Sequence, residues 1–169
     1  MWIFGYGSLM WDQWEEGFSC KSKEKAKSDE FRRDFNKASV KNWGTQENPG
    51  PTLNLVNDSS SNCEGLAFGF SKKNSEKVLK YLRKREGRNF DLKELSIILE
   101  SGKTVKTHVP IYSGPNIISD KSLSEKAKMA EKAIGDRGRC VDYIKNIGTR
   151  LDDLGIKDKA VQEILFFLS

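Results

Sequence analysis

The chain has 169 residues, with 29 lysines and arginines against 24 acidic residues and a net charge of +5. Apolar residues make up 37% and the mean hydropathy is -0.62, which fits one soluble domain with a real core and a large charged surface. No run approaches the ~18–20 apolar residues of a membrane span, so no membrane partner is expected, and no basic-then-apolar leader is visible. The three cysteines, Cys20, Cys63 and Cys140, are odd in number and form no C-x-x-C pair. That argues against a disulfide framework or a zinc site and points to a reducing cytoplasm.

In chain order, Trp2–Phe4 reads as a short apolar strand that runs into a turn holding Gly5, Gly7 and Ser8. Glycines there allow positive φ and close approach of a ligand to the backbone. Successive main-chain N–H groups in such a turn can cradle an anion, although a glycine turn can equally open an ordinary strand. Lys21, Lys23, Lys25 and Lys27, interrupted by Glu24, read as a solvated loop. No nucleic-acid-binding motif accompanies them, so no nucleic-acid partner is expected. A basic surface can still attract a small anionic substrate. Phe31 and Phe35 fall on one face of an extended strand with Arg33 between them. Asn48-Pro49-Gly50-Pro51 marks a turn. Thr52–Val56 and Gly65–Phe70 alternate as strands around a polar loop.

The period then changes. Asn74 or Ser75 can cap a helix to about Glu86, with Val78, Leu79 and Leu82 as its apolar stripe and Gly87 as its stop. Leu95–Leu99 and Thr104–Tyr112 read as a hairpin around Glu100–Lys103. The lone histidine, His108, falls in the second strand and reads as structural or exposed; no metal site is expected. Ser122-x-x-Glu125 is a capping box for a further helix. Helical spacing continues over Cys140–Leu154 and Lys159–Leu168. Strands early and helices late make an α+β fold, not a parallel βαβ array.

Glu86 is the candidate for chemistry. It lies one turn after Leu82 and two after Leu79, on the apolar face. An unpaired carboxylate there is costly, and the negative end of the helix dipole adds to the cost. Both effects push its pKa upward, which suits proton transfer near neutral pH. The alternative is a frayed helix end with Glu86 solvated and paired to Arg83 or Arg85.

FGYGSLMW at residues 4–11 resembles the signature of the γ-glutamylcyclotransferase superfamily, in particular its ChaC-type, glutathione-degrading branch. YLRKREG around Glu86 is similar to the branch's Y-L-x-x-R-E segment. FRRDF at 31–35, GTQENPG at 44–50, CEGLAF at 63–68, IYSG at 111–114 and VDYI at 141–144 resemble further segments of it. The resemblance implies a single domain over residues 1–169 with a small mixed β-barrel-like sheet flanked by helices. It implies that Glu86 is the catalytic residue and that Phe4, Gly5, Tyr6, Gly7, Ser8 and Leu9 form the substrate-binding turn. Tyr112 and Tyr143 are either substrate contacts or core tyrosines. The implied activity is cyclisation of a γ-glutamyl substrate, glutathione first, to 5-oxoproline, with no cofactor and no metal. Trp43, Gln46 and Phe90 depart from the family pattern near the expected leaving-group side. Two rivals stand beside this. One is a cyclotransferase acting on other γ-glutamyl amines or dipeptides. The other is a non-catalytic binding module that uses Trp2, Trp11, Trp14 and Trp43 as contacts.

Overall fold

The computed structural model describes residues 1–169. Its strands, in chain order, are β1 (Trp2–Gly5), β2 (Ser22–Ser28), β3 (Phe31–Ser39), β4 (Gly50–Asn57), β5 (Cys63–Gly69), β6 (Phe90–Leu99), β7 (Thr104–Tyr112), β8 (Ile134–Gly135) and β9 (Gly138–Arg139). Its helices are α1 (Ser75–Glu86), α2 (Leu123–Lys132), α3 (Cys140–Asp153) and α4 (Lys159–Phe167). They form two compact units, one of Met1–Arg32 with Asn57–Gly114 and one of Arg33–Val56 with Pro115–Ser169.

The first unit is built on a closed barrel in the order β1-β5-β2-β6-β7. All but one of its pairings are antiparallel. The barrel closes where β1 runs parallel to β7, with Trp2 beside Thr107 and Ile3 beside His108. The α+β class and the mixed barrel therefore stand as expected. The alternating residues Ile3, Leu66, Phe68, Ile97, Leu99 and Val109 are buried, as a small barrel filled by its own side chains requires.

The lysine-rich segment is a correction: it is not a solvated loop but strand β2, paired along its whole length with β5. Lys23, Lys25 and Lys27 alternate with Glu24, Ala26 and Ser28, and the last two are buried. The inward positions are small rather than large and apolar, so the period of two was hidden. Strand β6 also starts earlier than expected, at Phe90 opposite Tyr112. Its charged residues Asp91, Lys93 and Glu94 are all exposed and break the apolar alternation.

Helix α1 buries Val78 and Leu82. Its start is fixed by the side chain of Asn74, which donates to the carbonyl of Phe18 at 3.0 Å. Trp14 stacks on Tyr81 with ring centres 6.0 Å apart and meets Phe68 edge-on at 5.4 Å. An aromatic cluster thus packs the helix onto the barrel wall. Gly87, at φ 92°, ends the helix by donating its N–H to the carbonyl of Arg83, the left-handed stop that favours glycine.

In the second unit β3 and β4 pair as a two-stranded sheet, and β8 and β9 form a short hairpin. The capping box of α2 is made as the spacing predicts: Ser122 Oγ accepts from the Glu125 N–H, and Glu125 accepts from the Ser122 N–H. Helix α3 buries Tyr143, Ile144, Ile147 and Leu151. Arg33, almost wholly buried, pairs with Asp158 at 2.9 Å, and Asp158 in turn caps α4 by accepting from the Val161 N–H. No helix is long and apolar enough to cross a membrane.

Candidate active site

Strand β1 delivers the chain into the barrel wall and then bends it sharply. Residues Ser8–Met10 form a single 3-10 turn, closed by Met10 N–H to the Gly7 carbonyl at 3.0 Å and Trp11 N–H to the Ser8 carbonyl at 3.3 Å. The first amides of such a turn have no acceptor within it. Neither Gly5 nor Gly7 has positive φ; the glycines that do are Gly87, Gly102, Gly138 and Gly155. The reason for glycine at Gly5 is space. A Cβ there would stand 3.0 Å from the Cβ of Leu9 and 3.1 Å from the ring of Phe68, so the turn folds back onto its own strand.

The side chains of this turn divide by role. Phe4 is fully buried and Leu9 is 4% exposed, so both contribute to the site only through their main chain. The Leu9 carbonyl is held by the indole N–H of Trp14 at 3.1 Å. The buried Tyr6 hydroxyl donates to the Pro110 carbonyl at 2.7 Å, tying the turn to β7. Gly7 and Ser8 are half-buried and are the accessible members.

Glu86 ends α1, and its carboxylate is neither unpaired nor solvated. Its side chain is 17% exposed, with Oε1 3.3 Å from Nε of Arg85. Arg85 is itself 6% exposed and holds a set of partners drawn from two segments. Its Nη2 donates to Ser8 Oγ at 3.0 Å, and its Nη1 pairs with Asp12 at 2.5 Å and approaches the Tyr81 hydroxyl at 3.4 Å. Burial disfavours the guanidinium charge, but Asp12, Tyr81 and Glu86 outweigh it and hold its pKa above the ordinary arginine value. A buried cation surrounded in this way is a fixed feature. Sequence reasoning missed it. The available signal was spacing: among Arg83, Lys84 and Arg85, only Arg85 lies three residues after Leu82 and four after Tyr81, on the packed face.

Tyr112 is buried at the end of β7, edge-on to Phe90 at 5.2 Å. Ser8, Glu86 and Tyr112 all belong to the first unit. Tyr143 belongs to the second. There its hydroxyl accepts from the Leu53 N–H at 3.1 Å and its ring lies 5.1 Å from that of Trp43. Of the four tryptophans, Trp14 is core, and Trp2, Trp11 and Trp43 are half-buried, which leaves little of the exposed aromatic surface that a tryptophan-based binding module needs.

Comparison with known proteins agrees with this arrangement. The family profile described as ChaC-like protein matches residues 1–168. Gamma-glutamylcyclotransferase 2-3 of Arabidopsis thaliana is 31% identical over 97% of this chain and 86% of its own length. The glutathione-specific gamma-glutamylcyclotransferase of Escherichia coli K12 is 28% identical over 98% of this chain and 71% of its own. A crystal structure of a yeast γ-glutamyl cyclotransferase specific to glutathione superposes with a TM-score of 0.88 at 20% identity, covering 99% of this chain and 95% of that one. The chain is a member of the ChaC-like family.

Proposed function

We propose that this protein is a cofactor-independent γ-glutamylcyclotransferase that converts glutathione to 5-oxoproline and cysteinylglycine, with Glu86 as general base and acid. The whole chain, 1–169, is read as one γ-glutamylcyclotransferase-like domain, in line with a family match over residues 1–168. The observation that carries the site assignment is a chain of contacts. Ser8 of the glycine turn and the Glu86 carboxylate are joined through one guanidinium, at 3.0 and 3.3 Å.

The chemistry closes on the substrate's own atoms. The α-amino nitrogen of the γ-glutamyl group attacks its own γ-carbonyl, the five-membered lactam forms, and the amide bond to the leaving amine breaks. Folding the substrate into the attacking geometry supplies much of the rate. Two proton transfers remain. Glu86 takes a proton from the substrate ammonium, which frees the nucleophile, and delivers it to the departing nitrogen. The amides that open the Ser8–Met10 turn hold the substrate α-carboxylate, with the Ser8 hydroxyl beside them. Nothing in this sequence of steps calls for a metal or an organic cofactor. The three cysteines are free thiols, which suits a reducing, cytoplasmic setting.

Purified protein incubated with glutathione is expected to release 5-oxoproline and cysteinylglycine in equal amounts. Absence of 5-oxoproline from glutathione, γ-glutamyl-alanine and γ-glutamyl-lysine alike would overturn the assignment. A second reading concerns the leaving group. Trp43 packs on Tyr143, Phe90 packs on Tyr112, and Gln46 is exposed. If these residues shape the leaving-group pocket, preference for cysteinylglycine is weaker than in relatives with the usual pattern, by about several-fold for each lost polar contact. Competition among the three substrates measures it.

A further inference from the structure

We propose that Arg85 is the positioning residue of this site: it fixes Ser8 and Glu86 in one geometry and orients the Ser8 hydroxyl as a hydrogen-bond donor toward the substrate. The proposal rests on the assignment of Glu86 as the proton-transfer group and goes beyond it.

A guanidinium only donates. Toward Arg85 Nη2, 3.0 Å away, Ser8 Oγ must therefore act as acceptor. That leaves the Ser8 hydroxyl proton directed away from Arg85, free for an acceptor on the ligand. A substrate α-carboxylate is such an acceptor; an ammonium is not. Arg85 thereby selects which end of the γ-glutamyl group Ser8 can hold. The same side chain meets Glu86 through Nε at 3.3 Å. A cation there favours the ionised carboxylate, the form a base must have before it takes a proton.

The planar fork explains why the residue is arginine. Nε, Nη1 and Nη2 face Glu86, Asp12 and Ser8 respectively, with the Tyr81 hydroxyl also on Nη1. A lysine ammonium, a point charge on a flexible stem, cannot serve these directions together. The charged and titratable groups facing the guanidinium are Asp12 from the segment after the turn, and Tyr81 and Glu86 from α1. With Arg85 they leave one net negative charge, a composition suited to receiving a substrate ammonium. The two supports of Arg85 are also unequal in kind. Asp12 is the closer one and touches neither proposed reacting group, so it anchors the fork while Ser8 and Glu86 are what the fork arranges.

The test compares Arg85→Lys and Arg85→Met with wild type, with Glu86→Gln and Ser8→Ala as references. For Arg85→Lys in the folded protein, kcat is expected to fall by about 10–100-fold and KM for glutathione to rise several-fold, since hydrogen bonds to a charged group are lost at both places. In Arg85→Met the acid limb of the kcat profile is expected to move to higher pH by about one unit, because Glu86 loses its neighbouring cation. Ser8→Ala is expected to raise KM in the wild-type background and hardly at all in the Arg85→Lys background. If the Met variant does not fold, the Lys variant and the double mutant decide. An Arg85→Lys protein with wild-type kcat, KM and additive Ser8→Ala effects overturns the proposal, leaving Arg85 as an anchor for the end of α1. An active Glu86→Gln protein overturns the underlying mechanism instead, so the two failures are distinct.

Discussion

The molecule buries two arginines, one in each unit, and the contrast between them separates folding from chemistry. Arg33, in the second unit, pairs with Asp158, a residue whose other oxygen caps helix α4. Both partners serve the packing of secondary structure. Arg85, in the first unit, spreads its donors over Ser8, Asp12, Tyr81 and Glu86. Two of those partners carry no structural duty of that kind: Ser8 caps nothing, and Glu86 is the last residue of its helix. A buried pair that only joins elements could be replaced by apolar residues with little loss of stability. A buried cation that arranges a hydroxyl and a carboxylate at the mouth of a turn has no apolar equivalent.

The largest effect expected from this contrast is at Glu86. Glu86→Gln keeps the size of the side chain and removes the proton acceptor. Turnover is expected to fall by about 10²–10⁴-fold, while the melting temperature stays close to wild type. Kinetics of 5-oxoproline release alongside thermal melting measures both. A folded Gln variant with near-normal turnover would erase the distinction between the two arginines.

The second unit should fail in the opposite way. Arg33→Met strands the Asp158 carboxylate, whose side chain is only 11% exposed. Removal of one partner from a buried pair costs about 3–5 kcal/mol. Urea denaturation is expected to show that loss, with turnover per folded molecule unchanged. Replacing both partners, Arg33→Met with Asp158→Leu, should recover part of it, though not the share owed to the α4 cap. A large loss of turnover without loss of stability in Arg33→Met would mean that Arg33, too, serves the chemistry.

How far the sequence reaches follows the same division. Glu86 and the Gly5–Leu9 turn were legible because glycine, serine and glutamate sit in short, ordered segments whose residue types announce a cradle and a proton carrier. The helix over 75–86 and the β6–β7 hairpin were legible from their periods. Arg85 was not, because the residue that explains its burial is Ser8, 77 positions away, and nothing local distinguishes it from Arg83 and Lys84. Strand β2 was hidden for a related reason. Its inward side chains are Ala26 and Ser28, and what makes the segment a strand is its pairing with Gly65 and Cys63 of β5. The β8–β9 hairpin, two residues a side, is too short to carry any period. Local pattern finds elements with their own hydrophobic face; partners distant in sequence supply the rest.

A pH experiment sharpens the comparison further. In the second unit Cys140 is fully buried, its thiol 3.3 Å from the Pro51 carbonyl, and burial pushes its pKa from 9.0 up to about 12. Between those values the folded chain keeps a proton that the unfolded chain has released. The stabilisation is therefore complete below about pH 9 and is lost as pH rises toward 12. The loss approaches about 1.4 kcal/mol per pH unit within that window. Cys140→Ala removes this contribution, so the gap in unfolding free energy between wild type and variant should narrow from pH 9 to pH 10.5. A constant gap would show that Cys140 ionises equally in both states.

The smallest effects come from two serines that mirror the two arginines. Ser122 accepts from the Glu125 backbone N–H at the start of α2 and Ser8 accepts from the Arg85 guanidinium. Ser122→Ala leaves an amide of the first helical turn without its cap and also frees the Glu125 carboxylate, which accepts from both the Ser122 N–H and its hydroxyl. The expected cost is about 1 kcal/mol of stability, with KM for glutathione unchanged. Ser8→Ala removes no helix cap. Arg85 retains Asp12, Tyr81 and Glu86, so stability should change by less than in Ser122→Ala. The lost group is the hydroxyl offered to the substrate, and KM should rise several-fold, equivalent to about 1 kcal/mol. Measuring both quantities on both variants crosses the two serines: one moves the unfolding midpoint, the other moves KM. Should Ser8→Ala instead lower the midpoint and leave KM alone, the hydroxyl would be part of the scaffold, and substrate recognition by the turn would rest on its main-chain amides.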